Sequence, residues 1–292
     1  MSRAICWLLL LGAIVSGCGG VLFFPSKTIE ITPHEIGLVY EDVVFEGEDG
    51  VELHGWFLPA RYEGLEPAGT VVFFHGNAGN VGSQLGGVYW LPSQGFQVFL
   101  FDYRGFGASA GRAGLAGAHG DARAAVRAAA LREDVDPERI AAIGQSIGGA
   151  IALTTVASLD GEIPIRGLVV DSAPSDFRGI AREKLGALWL TWPLQYPLSW
   201  LIPANPKPLA AAAMLRGTPL LFVHGDRDVV VPLRHSLKLA ESAGGAELLI
   251  VSGGEHGMSF EDPTARRRVV AFLNEVLSPS GRAPERVARR EP

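Results

Sequence analysis

From residue 40 the chain alternates short apolar runs, rich in β-branched and aromatic residues, with longer stretches of helical composition. The runs fall at 40–45, 51–58, 70–74, 97–102, 139–143, 167–170, 220–223 and 247–251. Glu48-Asp49-Gly50 separates the first two and predicts a hairpin, because Asp-Gly readily takes the positive φ of a tight turn. The later runs are almost continuously apolar, as expected of parallel strands buried on both faces. The Ala- and Arg-rich stretch 119–133 predicts a helix that stops before Asp136-Pro137. The pattern therefore predicts one α/β domain over 26–277, a mostly parallel central sheet with helices on both faces.

The alternation breaks between Asp171 and Gly217, where Trp189, Trp192, Tyr196 and Trp200 occur among prolines. The break predicts a small helical cap inserted over about 172–217. Its aromatics have two readings, an apolar lid facing substrate or the insertion's own packing. The stretch 278–292 is charged, proline-bearing and aperiodic, and is expected to be a disordered tail.

Composition narrows the chemistry. A 292-residue chain with 48% hydrophobic residues can bury one sizeable core. A formal charge of −6 provides no basic face for a phosphate backbone, so nucleic acid is not an expected partner. Both cysteines, Cys6 and Cys18, lie near the amino terminus, which leaves the folded part without a disulfide or thiolate metal site. The seven histidines show no ligand spacing. No metal and no cofactor are expected.

Residues 1–25 read as an address. Arg3 precedes the apolar run 4–15, and Ser16, Gly17 and Cys18 follow. Val15-Ser16-Gly17-Cys18 resembles a bacterial lipobox, which implies cleavage before Cys18 and lipid attachment to it, and places the protein in the bacterial cell envelope. The alternative is an uncleaved single transmembrane anchor over 4–24, close to the ~20 apolar residues that a spanning helix needs. Either reading attaches the domain to a membrane.

Chemistry should gather just beyond the carboxyl ends of the strands. Ile140-Ala-Ala-Ile143 is followed by Gly144-Gln145-Ser146-Ile147-Gly148 and an alanine-rich stretch, the strand, sharp turn and helix that expose a nucleophilic serine. A serine hydroxyl is a weak nucleophile and needs a base and an orienting acid later in the chain. His256, after the last apolar run, is the expected base. Asp228 is the preferred acid because three residues separate it from Pro232, whereas Asp226 directly follows a strand-end glycine and suits a loop turn. Asp171 is a third candidate. His75-Gly76-Asn77-Ala78-Gly79 follows an early strand, so the backbone N–H groups of Asn77 and Ile147 are the expected oxyanion donors. His75 is expected to brace its loop, and Asp102-Tyr103-Arg104-Gly105 to form an ion-paired turn.

Together these blocks resemble the α/β-hydrolase superfamily. His75-Gly-Asn-Ala-Gly-Asn80, Asp102-Tyr-Arg-Gly-Phe-Gly107, the serine turn and His224-Gly-Asp-Arg-Asp228 are most similar to its membrane-associated branch related to the bud-emergence (Bem) protein, over about 39–277. The resemblance implies triad roles for Ser146, Asp228 and His256 and oxyanion amides at Asn77 and Ile147. It also implies an amino-terminal anchor and relatives that include esterases, lipases and acyl-peptide-cleaving enzymes. The expectation is a serine hydrolase acting on small or lipid-like carboxylic esters through an acyl-enzyme. The alternatives are a serine peptidase or amidase, in which Asp176 and Glu183 are the only insertion acids able to hold a free amino terminus, and a non-catalytic membrane lipoprotein.

Overall fold

The computed structural model describes residues 22–61, 67–187, 189 and 191–278. Eight strands form the main sheet: β1 (Glu41–Glu46), β2 (Glu52–Leu58), β3 (Gly69–Phe74), β4 (Phe96–Phe101), β5 (Ile140–Gln145), β6 (Ile165–Asp171), β7 (Leu220–Gly225) and β8 (Glu247–Val251). Their order across the sheet is β8-β7-β6-β5-β3-β4-β2-β1. β2 runs antiparallel to both neighbours, and the other pairings are parallel. All eight lie within about two residues of the apolar runs; the six inner strands β2 to β7 are buried almost throughout and declare themselves by hydrophobicity, while the edge strands β1 and β8 are only partly buried.

Among the described residues, seven helices longer than four residues accompany the sheet: α1 (Leu115–Ala130), α2 (Ile147–Ser158), α3 (Phe177–Ala187), α4 (Gln195–Trp200), α5 (Pro208–Met214), α6 (Arg234–Ser242) and α7 (Pro263–Leu277). Alternate strand residues face opposite cores. Val72, Phe74, Ile140, Ala142 and Phe222 join one core with α1, α2 and α6. Val71, Phe73, Ala141, Ile143 and Val223 join the other with α7. Residues 147–157 of α2 are all buried, so this helix is apolar on every side.

Helix α1 begins one turn before the predicted 119 and ends at Ala130. Buried Leu115 and Ala118 extend it forward, since packing rewards a turn that the alanine pattern does not mark. Beyond its end the Arg132 guanidinium lies 3.8 Å over the Phe57 ring and bonds Asp134 and Glu41, while Val135 turns inward. Three helices, α3 to α5, occupy the predicted cap region between β6 and β7. The predicted tail lies outside the described residues from 279 onward.

The 102–109 loop is an ion-paired turn, as its residues suggest. Arg104 donates to Asp121 through its side chain at 2.7 and 3.0 Å and its backbone N–H at 2.9 Å, and bonds Asp49 of the hairpin at 2.8 Å. The Asp121 carboxylate is fully buried, whereas Asp49 is more than half exposed. Burial weighs differently on the two partners. Arg104→Ala strands a buried charge and should lower the unfolding free energy by about 3–5 kcal/mol in urea titration. Asp49→Ala removes only a solvated ion pair and should leave the midpoint nearly unchanged.

Candidate active site

Strands β3, β5, β7 and β8 are parallel, so the residues just after them meet at one edge of the sheet. Ser146 follows β5 directly and holds φ 54°, ψ −124°, a conformation that costs a non-glycine residue energy. Close packing enforces it. A Cβ at Gly148 would run into the carbonyl oxygens of Phe74 and His75, and one at Gly144 would meet the Cα of Gly149 at 2.6 Å. Only glycines let α2 approach β3 and β5 so tightly. The Ser146 N–H donates to the Asp171 carbonyl at 2.7 Å, which ties the turn to β6.

Ser146 Oγ lies 2.9 Å from His256 Nε2, and His256 Nδ1 lies 2.7 Å from Asp228 Oδ2. A carboxylate only accepts, so Nδ1 carries the proton and Nε2 is free to take one from the hydroxyl. Asp228 Oδ1 accepts the N–H groups of Val230 and Val231 at 2.8 Å. Burial favours the neutral acid, but hydrogen bonds from His224, His256 and the Val231 amide outweigh it and hold the carboxyl well below the usual carboxylate range. Asp226 instead accepts the Gly253 N–H at 2.7 Å and secures the loop after β8. Asp171 accepts from Gln145 and Ser172 and is not joined to His256.

Two residues outside the expected site, His224 and Gln145, support this arrangement. His224 is fully buried, with Nε2 at 2.8 Å from the Val231 carbonyl and 3.3 Å from Asp228 Oδ2, and Nδ1 at 2.6 Å from the Ser236 hydroxyl. It locks the acid loop to α6. Gln145 Nε2 donates to Asp171 at 2.9 Å and to the Gly257 carbonyl at 3.1 Å, joining the residue before Ser146 to the residue after His256. The position before the serine accepts any residue in the motif, so its glutamine carries no sequence signal. His224 had a weak one, a histidine inside an apolar strand end.

Ser146 lines two cavities. One, of about 350 Å³, is apolar and includes Asn77, Ile147, Ile180, Leu185, Leu198 and Val231. The other, of about 370 Å³, is more polar and includes Gln84, Gln145, His256 and Glu261. Ile147 opens α2, where an N–H has no intrahelical acceptor, and Asn77 borders both cavities. Trp189, Trp192, Tyr196 and Trp200 line neither cavity and are more than half exposed, so the cap lines the site with aliphatic residues. Bulky rings flagged the insertion in the sequence, but ordinary leucines and isoleucines do the lining.

His75 sits beneath the site rather than in it. Its Nδ1 meets the Gly76 carbonyl at 2.7 Å, its Nε2 faces Asp102 at 3.6 Å, and burial lowers its pKa to about 4 despite the Gly76 bond. Burial raises Asp102 from 3.8 to about 7, against the Val81 N–H and the charge of Lys27. An acid whose folded pKa is raised keeps its proton longer when folded, so it penalises the fold increasingly as pH climbs from about 4 to about 7. The rise corresponds to roughly 4 kcal/mol above that window. Asp102→Asn should therefore be more stable than wild type by a few kcal/mol at pH 8 and lose that advantage at pH 4, as measured by chemical unfolding.

Among the described residues no helix is long and apolar enough to cross a membrane, and no group of three or more His, Cys, Asp or Glu is gathered to hold a metal ion. Cys18 and the run 4–15 lie outside the described residues.

The alpha/beta hydrolase fold family matches residues 69–197, and the TAP-like protein family matches residues 193–284. The uncharacterized protein YfhR of Escherichia coli K12 is 35% identical over 244 residues, covering 82% of each chain. Protein bem46 of Schizosaccharomyces pombe is 33% identical over 127 residues, 43% of this chain and 42% of that one, a narrower match than the expected 39–277. Among solved structures, the esterase Pf2001 of Pyrococcus furiosus superposes with a TM-score of 0.70 at 21% identity, covering 87% of this chain and 99% of that one. The Pyrococcus horikoshii acylaminoacyl peptidase does so with 0.59 at 20% identity, covering 84% and 43%. At such identities the structural likeness is one of fold.

Proposed function

The chain belongs to the α/β-hydrolase family, and from that premise we propose that it is a serine hydrolase that cleaves carboxylic esters, with acyl chains of lipid-like character. The observation that carries the proposal is the unbroken line from Ser146 Oγ to His256 Nε2 at 2.9 Å and from His256 Nδ1 to Asp228 at 2.7 Å, with the serine on the wall shared by the two cavities. Ser146 Oγ attacks the ester carbonyl while His256 Nε2 takes its proton. The developing oxyanion meets the N–H groups of Asn77 and Ile147. Collapse expels the alcohol, protonated by His256, and a water activated by the same histidine then releases the acid. Asp228 keeps His256 in the required tautomer and stabilises the imidazolium. The apolar cavity takes the acyl chain and the more polar one the alcohol.

Peptide substrates with a free amino terminus fit less well, because both insertion acids are engaged. Asp176 accepts the Arg178 and Gly179 N–H groups at the start of α3, and Glu183 pairs with Arg234 and His235. Amino-terminal attachment to the membrane, by lipid on Cys18 or by a single helix, is part of the same proposal and rests on the pattern of residues 1–18.

Ser146→Ala should lose labelling by a fluorophosphonate and at least about 10³-fold in hydrolysis of p-nitrophenyl acyl esters; undiminished turnover would refute the assignment. Asp228→Asn should drop kcat by about 10³–10⁴-fold by imposing the wrong histidine tautomer, whereas Asp226→Asn should stay near wild type. In bacterial cells fed an alkyne-tagged palmitate, the lipid reading of Cys18 expects labelling that Cys18→Ala abolishes; an unlabelled protein that stays in the membrane fraction supports the helix.

A further inference from the structure

Residues 22–24 belong by hydrophobic pattern to the membrane address, yet in the structure they lie against the candidate active site. The Phe24 N–H donates to the Asn77 carbonyl at 2.7 Å, and Asn77 Nδ2 donates back to the Leu22 carbonyl at 3.1 Å. Phe24–Pro25 pairs in parallel with Ala78–Gly79, and the Ser26 N–H bonds the Gly79 carbonyl at 2.8 Å. Asn80 Nδ2 donates to the carbonyls of Ser26 and Thr28 at 3.2 and 2.7 Å, and the Gly107 N–H reaches Ser26 at 2.9 Å. These bonds clamp the arm to two loops of the domain.

Leu22 lies in a short 3-10 turn and Phe24–Pro25 is extended, so the three apolar side chains of the arm point in different directions. Phe23 points inward, 5% exposed, with its ring edge-to-face on Phe106 at 5.9 Å. Leu22 and Phe24, on either side of it, both line the apolar cavity that contains Ser146 and Ile147. Phe23 is thus buried, while its neighbours, half-buried Leu22 and largely exposed Phe24, both border the space in front of Ser146.

We propose that Leu22 and Phe24 form a specificity-determining wall of the acyl site, supplied by the stretch that leaves the membrane segment rather than by the hydrolase sheet or its cap. The proposal rests on the reading of Ser146 as an ester-cleaving nucleophile and adds the substrate class that the arm selects. A cavity of about 350 Å³ is small enough for one side chain to change which acyl chains fit. Leu22 follows Cys18 by four residue steps, and an extended chain advances at most about 3.6 Å per step, so an attachment at Cys18 would reach no farther than roughly 14 Å from this wall. An apolar wall on a cavity of this size suits acyl chains longer than acetyl, and its place next to the address makes esters held at a lipid interface the substrates it selects.

The test uses the full-length protein and the ratio of kcat/KM for p-nitrophenyl octanoate to that for p-nitrophenyl acetate, which does not depend on the folded fraction of a preparation. Fluorophosphonate labelling of Ser146 is followed in parallel. Leu22→Trp should fill the cavity and lower the ratio at least tenfold while labelling persists, and Phe24→Trp should lower it in the same direction. Leu131→Trp, at an exposed site at the end of α1, should leave the ratio unchanged. Full labelling with a ratio within twofold of wild type in both arm variants overturns the proposal alone. Wild-type protein that cleaves only the acetate overturns it as well. Wild-type protein that neither labels nor cleaves either ester overturns the nucleophile reading together with it.

Discussion

The constraint on which the site depends is the turn at Ser146. A buried apolar helix must pack so closely against the sheet that no Cβ can stand at Gly144 or Gly148, and the connection between strand and helix is left a single residue in a disfavoured backbone region. The burial of α2 on all sides holds that strain in place. The geometry has two chemical products. The serine side chain is lifted clear of the sheet, and the first N–H groups of α2 point, without intrahelical acceptors, toward the same space.

Around that turn the molecule spends buried polar groups on orientation. Asp228 receives four hydrogen bonds, from Val230, Val231, His256 and His224, and this keeps it ionised in an environment that would otherwise favour the neutral acid. Gln145 couples the serine strand to the histidine loop, and Asp226 fixes the start of that loop. His75 and Asp102 show the opposite balance. They are buried without comparable support, so desolvation moves both toward their neutral forms. The contrast sets apart the two histidine–aspartate pairs at this edge, one hydrogen-bonded and ionised beside Ser146 and the other buried beneath the loop.

The walls of the site come from segments remote in sequence. The cap contributes aliphatic residues while its aromatics face outward, the acid loop contributes Val230 and Val231, and the amino-terminal arm contributes Leu22 and Phe24. Such walls are assembled from loops and insertions that the sheet merely positions, which is why a single hydrolase fold accommodates many substrates.

Hydrophobic pattern alone determined the inner strands, because residues buried on both faces of a sheet leave little choice of composition. The local motif determined the turn, because only glycines fit two positions before and after Ser146. Spacing favoured Asp228 over Asp226, because three residues separate Asp228 from Pro232 whereas Asp226 directly follows a strand-end glycine; in the structure Asp228 meets His256 and Asp226 meets the Gly253 N–H. What the tertiary structure alone decided are contacts between residues with no sequence spacing to announce them. These include Gln145 on Gly257, His224 on Asp228, the aliphatic rather than aromatic lining of the cap side, and the return of Leu22 and Phe24 from an apparent leader onto the Asn77 loop. Periodicity reports which side of an element is buried, whereas the identity of what covers it depends on how distant segments pack, and one-dimensional pattern holds no record of that.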